Sequence, residues 1–147
     1  MRLYIDLSCF NRPFDNQHQE RIRQETETIF EILNRVVEGK DNLIWSWVLT
    51  FENSRHPRPD RRDEIQLWQS RADSVIAISP TLDERARELS KQGIPALDAA
   101  HVASAEAARA DLFLTCDDQI VRRAKRLELT VRVMNPMEYW KEVLLHG

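Results

Sequence analysis

Only three glycines and two cysteines occur in the 147 residues, and no apolar run approaches the ~20 residues that a membrane-spanning helix requires. The shortage of glycine excludes a glycine-rich phosphate loop. Neither GxGxxG nor GxxxxGK(S/T) is present, which argues against dinucleotide and P-loop nucleotide binding. Cys9 and Cys116 lie too far apart in sequence for a CxxC metal or redox motif, so two free thiols are expected. A GxSxG nucleophile elbow and an HExxH zinc motif are also missing. The opening MRLYIDLSCF places an acid where a secretory leader needs apolar residues, which makes the cytoplasm the expected compartment. Excess positive charge is absent as well: 21 Lys+Arg against 24 Asp+Glu leave a formal net charge of −3, unlike a strongly basic nucleic-acid module.

What the chain does contain suits one globular domain over 1–147, with 42% hydrophobic and 31% charged residues. Leu3, Ile5 and Leu7 alternate with Tyr4, Asp6 and Ser8, predicting a first strand over 2–8. Asp15 and Asn16 offer N-caps to a long helix whose apolar positions run from Ile22 to Val37 and stop at Gly39. LIWSWVL at 43–49 reads as a second strand, followed by a helical piece carrying Glu52 that breaks near Pro57 and Pro59. A helix from about Asp60 and a strand at 74–79 come next. Ser79 with Pro80 then starts another helix, which ends at Gly93. LDAAHVASAEAARA reads as helix, LFLT at 112–115 as strand, QIVRRAKRLEL as helix, TVRVM as strand and PMEYWKEVLL as a closing helix. Strands alternating with helices predict an α/β fold around a mainly parallel sheet.

Four acids fall where such a sheet gathers them. Asp6 lies near the end of the first strand, Glu52 follows the second, Asp98 opens the Ala-rich helix, and Asp117 follows LFLT. The carboxyl ends of parallel strands share one edge, the usual ligand edge. An Asp inside RLYIDLSCF is expensive to bury unless its charge is compensated. Converging carboxylates ~4 Å apart repel by ~4 kcal/mol at an effective dielectric near 20. Oxygen donors without a thiolate or multi-His set suit Mg²⁺ or Mn²⁺ better than zinc. Asp118 is the expected cap of the helix after LFLT, and His101, one turn beyond Asp98, is expected to pack, with a substrate contact as the alternative. Arginines crowd at Arg55, Arg58, Arg61 and Arg62; with Arg12 they are candidates to hold a phosphate backbone.

Asp6 with Ser8, Glu52 after the second strand, LDAAHVA around Asp98, and Leu-Thr-Cys-Asp from Leu114 to Asp117 resemble the PIN-domain nuclease family over nearly the whole chain. The resemblance implies a three-layer α/β/α sandwich and a divalent-metal ribonuclease. It makes Asp6, Glu52, Asp98 and Asp117 the catalytic and metal-holding quartet for Mg²⁺ or Mn²⁺. Ser8 and Thr115 would supply hydroxyls beside it, and Arg12, Arg55, Arg61 and Arg62 would contact RNA. Many small bacterial members are toxins of toxin–antitoxin pairs, similar to the VapC group, which implies RNA, an antitoxin protein and a second copy of the chain as partners. A haloacid-dehalogenase-like phosphatase would need a second acid where Ser8 stands. A receiver-type domain would need an acidic pair after the first strand, and the pair here is Asp117 and Asp118. The remaining alternative is a PIN fold that binds RNA or protein without catalysis.

Overall fold

The computed structural model describes residues 1–146. Five strands, β1 (Arg2–Ile5), β2 (Asn42–Ser46), β3 (Ala72–Ile76), β4 (Leu112–Leu114) and β5 (Arg132–Met134), form one sheet in the order β3-β2-β1-β4-β5. All four pairings are parallel. The helices are α1 (Leu7–Asn11), α2 (Glu20–Val37), α3 (Trp47–Ser54), α4 (Pro59–Gln66), α5 (Pro80–Lys91), α6 (Ala96–Ala107), α7 (Asp118–Ala124) and α8 (Pro136–His146). They cover both faces of the sheet, giving the expected α/β/α sandwich. Among the described residues, no helix is long and apolar enough to cross a membrane.

Alternation along β1 divides the core between the two faces. Ile5 meets Cys9, Ile29, Ile32 and Leu114 beneath α2. Tyr4 points the other way, stacking on Phe113 at 5.2 Å and reaching His101 of α6. Both faces are dry here, since Leu3, Tyr4, Leu43, Ile44, Trp45, Leu112 and Phe113 are all fully buried. Strands covered on both sides read as continuous apolar runs, as residues 43–45 and Leu112–Leu114 do here.

Every expected strand is shorter than read, and in the first two the reason is the same. The first stops at Ile5, because Asp6 turns the chain and caps α1 through its own side chain. The second stops at Ser46, whose hydroxyl accepts from Leu49 N–H at 3.1 Å and starts α3. A polar cap in each apolar run converts strand to helix within one residue. The strand read at 74–79 lies at 72–76, and the helix after LFLT ends at Ala124, well before Leu129. The long helix starts later than read, at Glu20 rather than at Asp15 or Asn16. Asn16 instead accepts from His18 N–H in a turn. Ser79 and Pro80 begin α5 as expected. Gly39 (φ +76°) and Gly93 (φ +101°) take the left-handed conformation that ends α2 and α5.

A candidate acidic active site

Strand order reverses direction between β1 and β4, so their carboxyl ends open a crevice, and the acids collect there. The backbone of Asp6 is tied to β4 by its N–H, which donates to Leu114 O at 2.9 Å. One carboxylate oxygen accepts from Leu7 N–H at 2.9 Å, capping α1. The other accepts from the hydroxyls of Ser8 and Thr115, each at 2.8 Å. Those hydroxyl oxygens in turn accept from Cys116 N–H and Asp117 N–H, both at 3.1 Å. Ser8 and Thr115, read from the sequence as hydroxyls beside the quartet, therefore aim the Asp6 carboxylate and pin β1 to β4.

Glu52 sits in the second turn of α3 and is half-buried, its Oε1 2.9 Å from His101 Nε2. Ligand atoms of Asp6, Glu52 and His101 all lie within 4.8 Å of one another. Asp98, in the first turn of α6, is the acid most affected by the others. Its carboxyl is pushed up to about 6, first by burial and next by the charge of Asp6, with Asp117 and Glu52 adding to the rise and His101 opposing it. Asp117 stands at the exposed rim and caps α7, its Oδ1 accepting from Gln119 N–H at 2.9 Å. The cap expected from Asp118 is thus made by Asp117. Asp118 is instead held in a two-point pair with Arg21 at 2.6 and 2.7 Å, and that guanidinium lowers its carboxyl.

His101 does more than pack. It is fully buried, and its Nδ1 lies 2.6 Å from the Tyr4 hydroxyl, which lies 2.6 Å from Ser46 Oγ. The i, i+3 spacing of Asp98 and His101 places both on one face of α6, the signal in the sequence that could have assigned His101 to the site. The two thiols are free and buried, as expected, yet Cys9 Sγ and Cys116 Sγ approach to 3.7 Å beneath Asp6 and Thr115, a proximity no spacing rule gives.

The arginines engage different partners. Arg12 pairs with Asp15 and with the fully buried Glu25, each at 3.0 Å. Arg55 lies over the Phe51 ring at 5.6 Å and Arg61 over the Phe14 ring at 5.2 Å, while Arg62 approaches Asp63 at 3.8 Å. Among the described residues, no lysine or arginine pairs with Asp6, Glu52 or Asp98, and the neighbouring carboxylates still raise Asp98 despite His101. A cluster of oxygen donors without a lysine or arginine beside it fits a hard divalent ion.

The PIN domain family model matches residues 4–126. No curated protein matches the sequence. Among solved structures, VapBC2 from Rickettsia felis, bound to a DNA fragment from its promoter, aligns with a TM-score of 0.60 at 16% identity, over 92% of this chain and 98% of that one. VapBC-1 from nontypeable Haemophilus influenzae aligns at 0.62, also at 16% identity, over 93% and 99%. These two likenesses establish the shared fold. With the family model spanning both the acid-bearing strand ends and the helix of Asp98, the chain belongs to the PIN domain family.

Proposed function

We propose that the chain is a divalent-metal-dependent ribonuclease and acts as the toxin of a toxin–antitoxin pair. The observation that carries this reading is the uncompensated acidic crevice, in which Asp98 is pushed up to about 6 by burial and by the carboxylates around it. Asp6, Glu52, Asp98 and Asp117 would hold Mg²⁺ or Mn²⁺. When bound, the ion neutralises charge on a phosphate and lowers the pKa of a water. Asp6 is held in place for this by Ser8 and Thr115. Glu52 has one oxygen committed to His101, leaving the other to orient a water toward the scissile phosphate. Arg12, Arg55, Arg61 and Arg62 are the groups proposed to hold the RNA backbone, Arg12 while also pairing with Glu25.

The toxin assignment draws support from the two VapBC structures that share the fold. It brings an antitoxin protein and a second copy of the chain as partners. The exposed rings of Trp47 and Phe51, stacked at 5.2 Å beside the Glu52 helix face, and the exposed Ile78 offer such partners an apolar surface. The test is cleavage of RNA by purified protein in Mg²⁺ or Mn²⁺, abolished by EDTA and by Asp98→Asn. Metal-independent RNA binding with no cleavage under any of these conditions would put the non-catalytic binding module in its place.

A further inference from the structure

His101 shares the crevice with Asp6 and Glu52, and its Nε2 lies near their oxygens as though it were a metal ligand. Donor and acceptor accounting along the chain Ser46, Tyr4, His101, Glu52 decides otherwise. Ser46 Oγ already accepts from Leu49 N–H at 3.1 Å, and its single proton has the Tyr4 oxygen 2.6 Å away. If Ser46 donates to Tyr4, the Tyr4 hydroxyl proton goes to His101 Nδ1 at 2.6 Å. Nδ1 is then an acceptor, the neutral ring carries its proton on Nε2, and that proton is donated to Glu52 Oε1 at 2.9 Å. Every donor is used once. In the opposite direction, within the close hydrogen bonds the Tyr4 hydroxyl makes, to Ser46 and His101, Nδ1–H donates to Tyr4 and Tyr4 donates to Ser46. The Ser46 proton then has no acceptor in a fully buried site, and a bare Nε2 lone pair faces a carboxylate oxygen. A doubly protonated ring leaves the same Ser46 proton stranded.

We infer that His101 is a positioning residue and not a metal ligand: Ser46 and Tyr4 fix its Nε2–H tautomer, and that N–H sets the direction of the Glu52 carboxylate in the crevice. The chain joins four elements. Ser46 is the hinge from β2 to α3, Tyr4 belongs to β1 and is clamped by its stack on Phe113, His101 belongs to α6, and Glu52 returns to α3. Glu52 is therefore oriented from within the core, although its own side chain reaches the cleft. Its purpose rests on the nuclease reading, while the hydrogen-bond directions do not. A histidine whose second nitrogen is fixed by a partner is a recurring means of orienting ligands around metals.

The test begins without metal or RNA. Long-range ¹H–¹⁵N NMR on histidine-labelled protein should show His101 as the Nε2–H tautomer, and Tyr4→Phe should shift it toward a mixture. Mn²⁺ affinity, read by electron paramagnetic resonance, should fall about 10- to 100-fold in His101→Leu. His101→Gln, which keeps an N–H for Glu52, should recover most of that loss. An Nδ1–H tautomer, a ¹⁴N coupling from His101 in the Mn²⁺ spectrum, or a Gln variant as impaired as the Leu variant would overturn the inference. If the wild type cleaves no RNA while the tautomer and the Gln rescue hold, the nuclease reading fails alone. If the wild type cleaves and His101→Leu cleaves and binds Mn²⁺ equally well, the positioning role fails alone.

Discussion

Two aspartates at opposite rims of the sheet are almost equally buried, Asp41 at 3% exposure and Asp6 at 6%. Asp41, just before β2, is met by the Met1 amine at 3.3 Å, Arg35 Nε at 2.9 Å and the Tyr139 hydroxyl at 2.7 Å. Its charge is cancelled by two cations, and burial together with that carboxylate pushes the Tyr139 hydroxyl up. Asp6 receives only neutral donors, and its charge in turn raises Asp98. Burial alone thus distinguishes neither. On the proposed reading, what marks a working acid is the absence of a cation beside it, because a folding chain relieves that cost wherever nothing else demands it.

The contrast breaks first if activity does not follow it. Asp98→Asn should cut RNA cleavage about a thousandfold, equivalent to about 4 kcal/mol of lost transition-state charge stabilisation. Asp41→Asn should leave kcat of the folded protein unchanged, as single-turnover assays in Mn²⁺ would show.

Stability should reverse the ranking. Asp41→Asn strands Arg35 and Tyr139 and should cost about 2 to 3 kcal/mol in urea melts. Asp98→Asn relieves repulsion and should gain about 1 kcal/mol at pH 7.5 in EDTA, after allowance for solvent screening of a partly exposed group. A loss of stability in Asp98→Asn would mean that the cluster is already compensated.

The pH dependence of that gain has a definite sign. A carboxyl raised from 3.8 to about 6 on folding costs nothing below the unfolded value and costs most above the folded one. Wild type and Asp98→Asn should therefore melt alike below about pH 4 in EDTA, diverge as pH rises from about 4 to about 6, and stay apart above it. Millimolar Mg²⁺ or Mn²⁺ at pH 7.5 should then raise the wild-type melting temperature, and that of Asp98→Asn far less. The smallest effect belongs to the surface: Arg55→Ala should weaken RNA binding in EDTA a few-fold and reduce its salt dependence by about one phosphate contact.

Sequence reasoning reached Asp6, Glu52 and Asp117 because each follows a short apolar run that parallel topology sends to one rim, and Asp98 because it opens the Ala-rich helix. It overran both β1 and β2 because the residues that end them, Asp6 and Ser46, do so by side-chain capping, a local hydrogen bond that hydrophobic periodicity does not register. Asp117 took the capping duty assigned to its neighbour because Arg21, nearly a hundred residues earlier, holds Asp118. His101 and Glu25 were hidden for a related reason. The partners that define them, Tyr4 and Glu52 for one and Asn135 and Arg12 for the other, are distant along the chain and meet only in the fold.

An all-parallel sheet gives the molecule an electrical head and tail. Asp6 caps α1, Asp117 caps α7 and Asp98 occupies the first turn of α6, so the acid rim is also where helix amino ends collect. Arg35 and Lys91 fall in the last turns of α2 and α5, toward the other end. The acids and the helix dipoles oppose each other at the rim. If the rim binds metal and RNA as proposed, replacing an acid there by its amide would do more than delete a ligand, because it would unmask a positive field facing the phosphate. The catalytically dead amide variants should consequently be traps, holding uncleaved RNA in EDTA at least as firmly as the wild type and serving to capture what the crevice recognises.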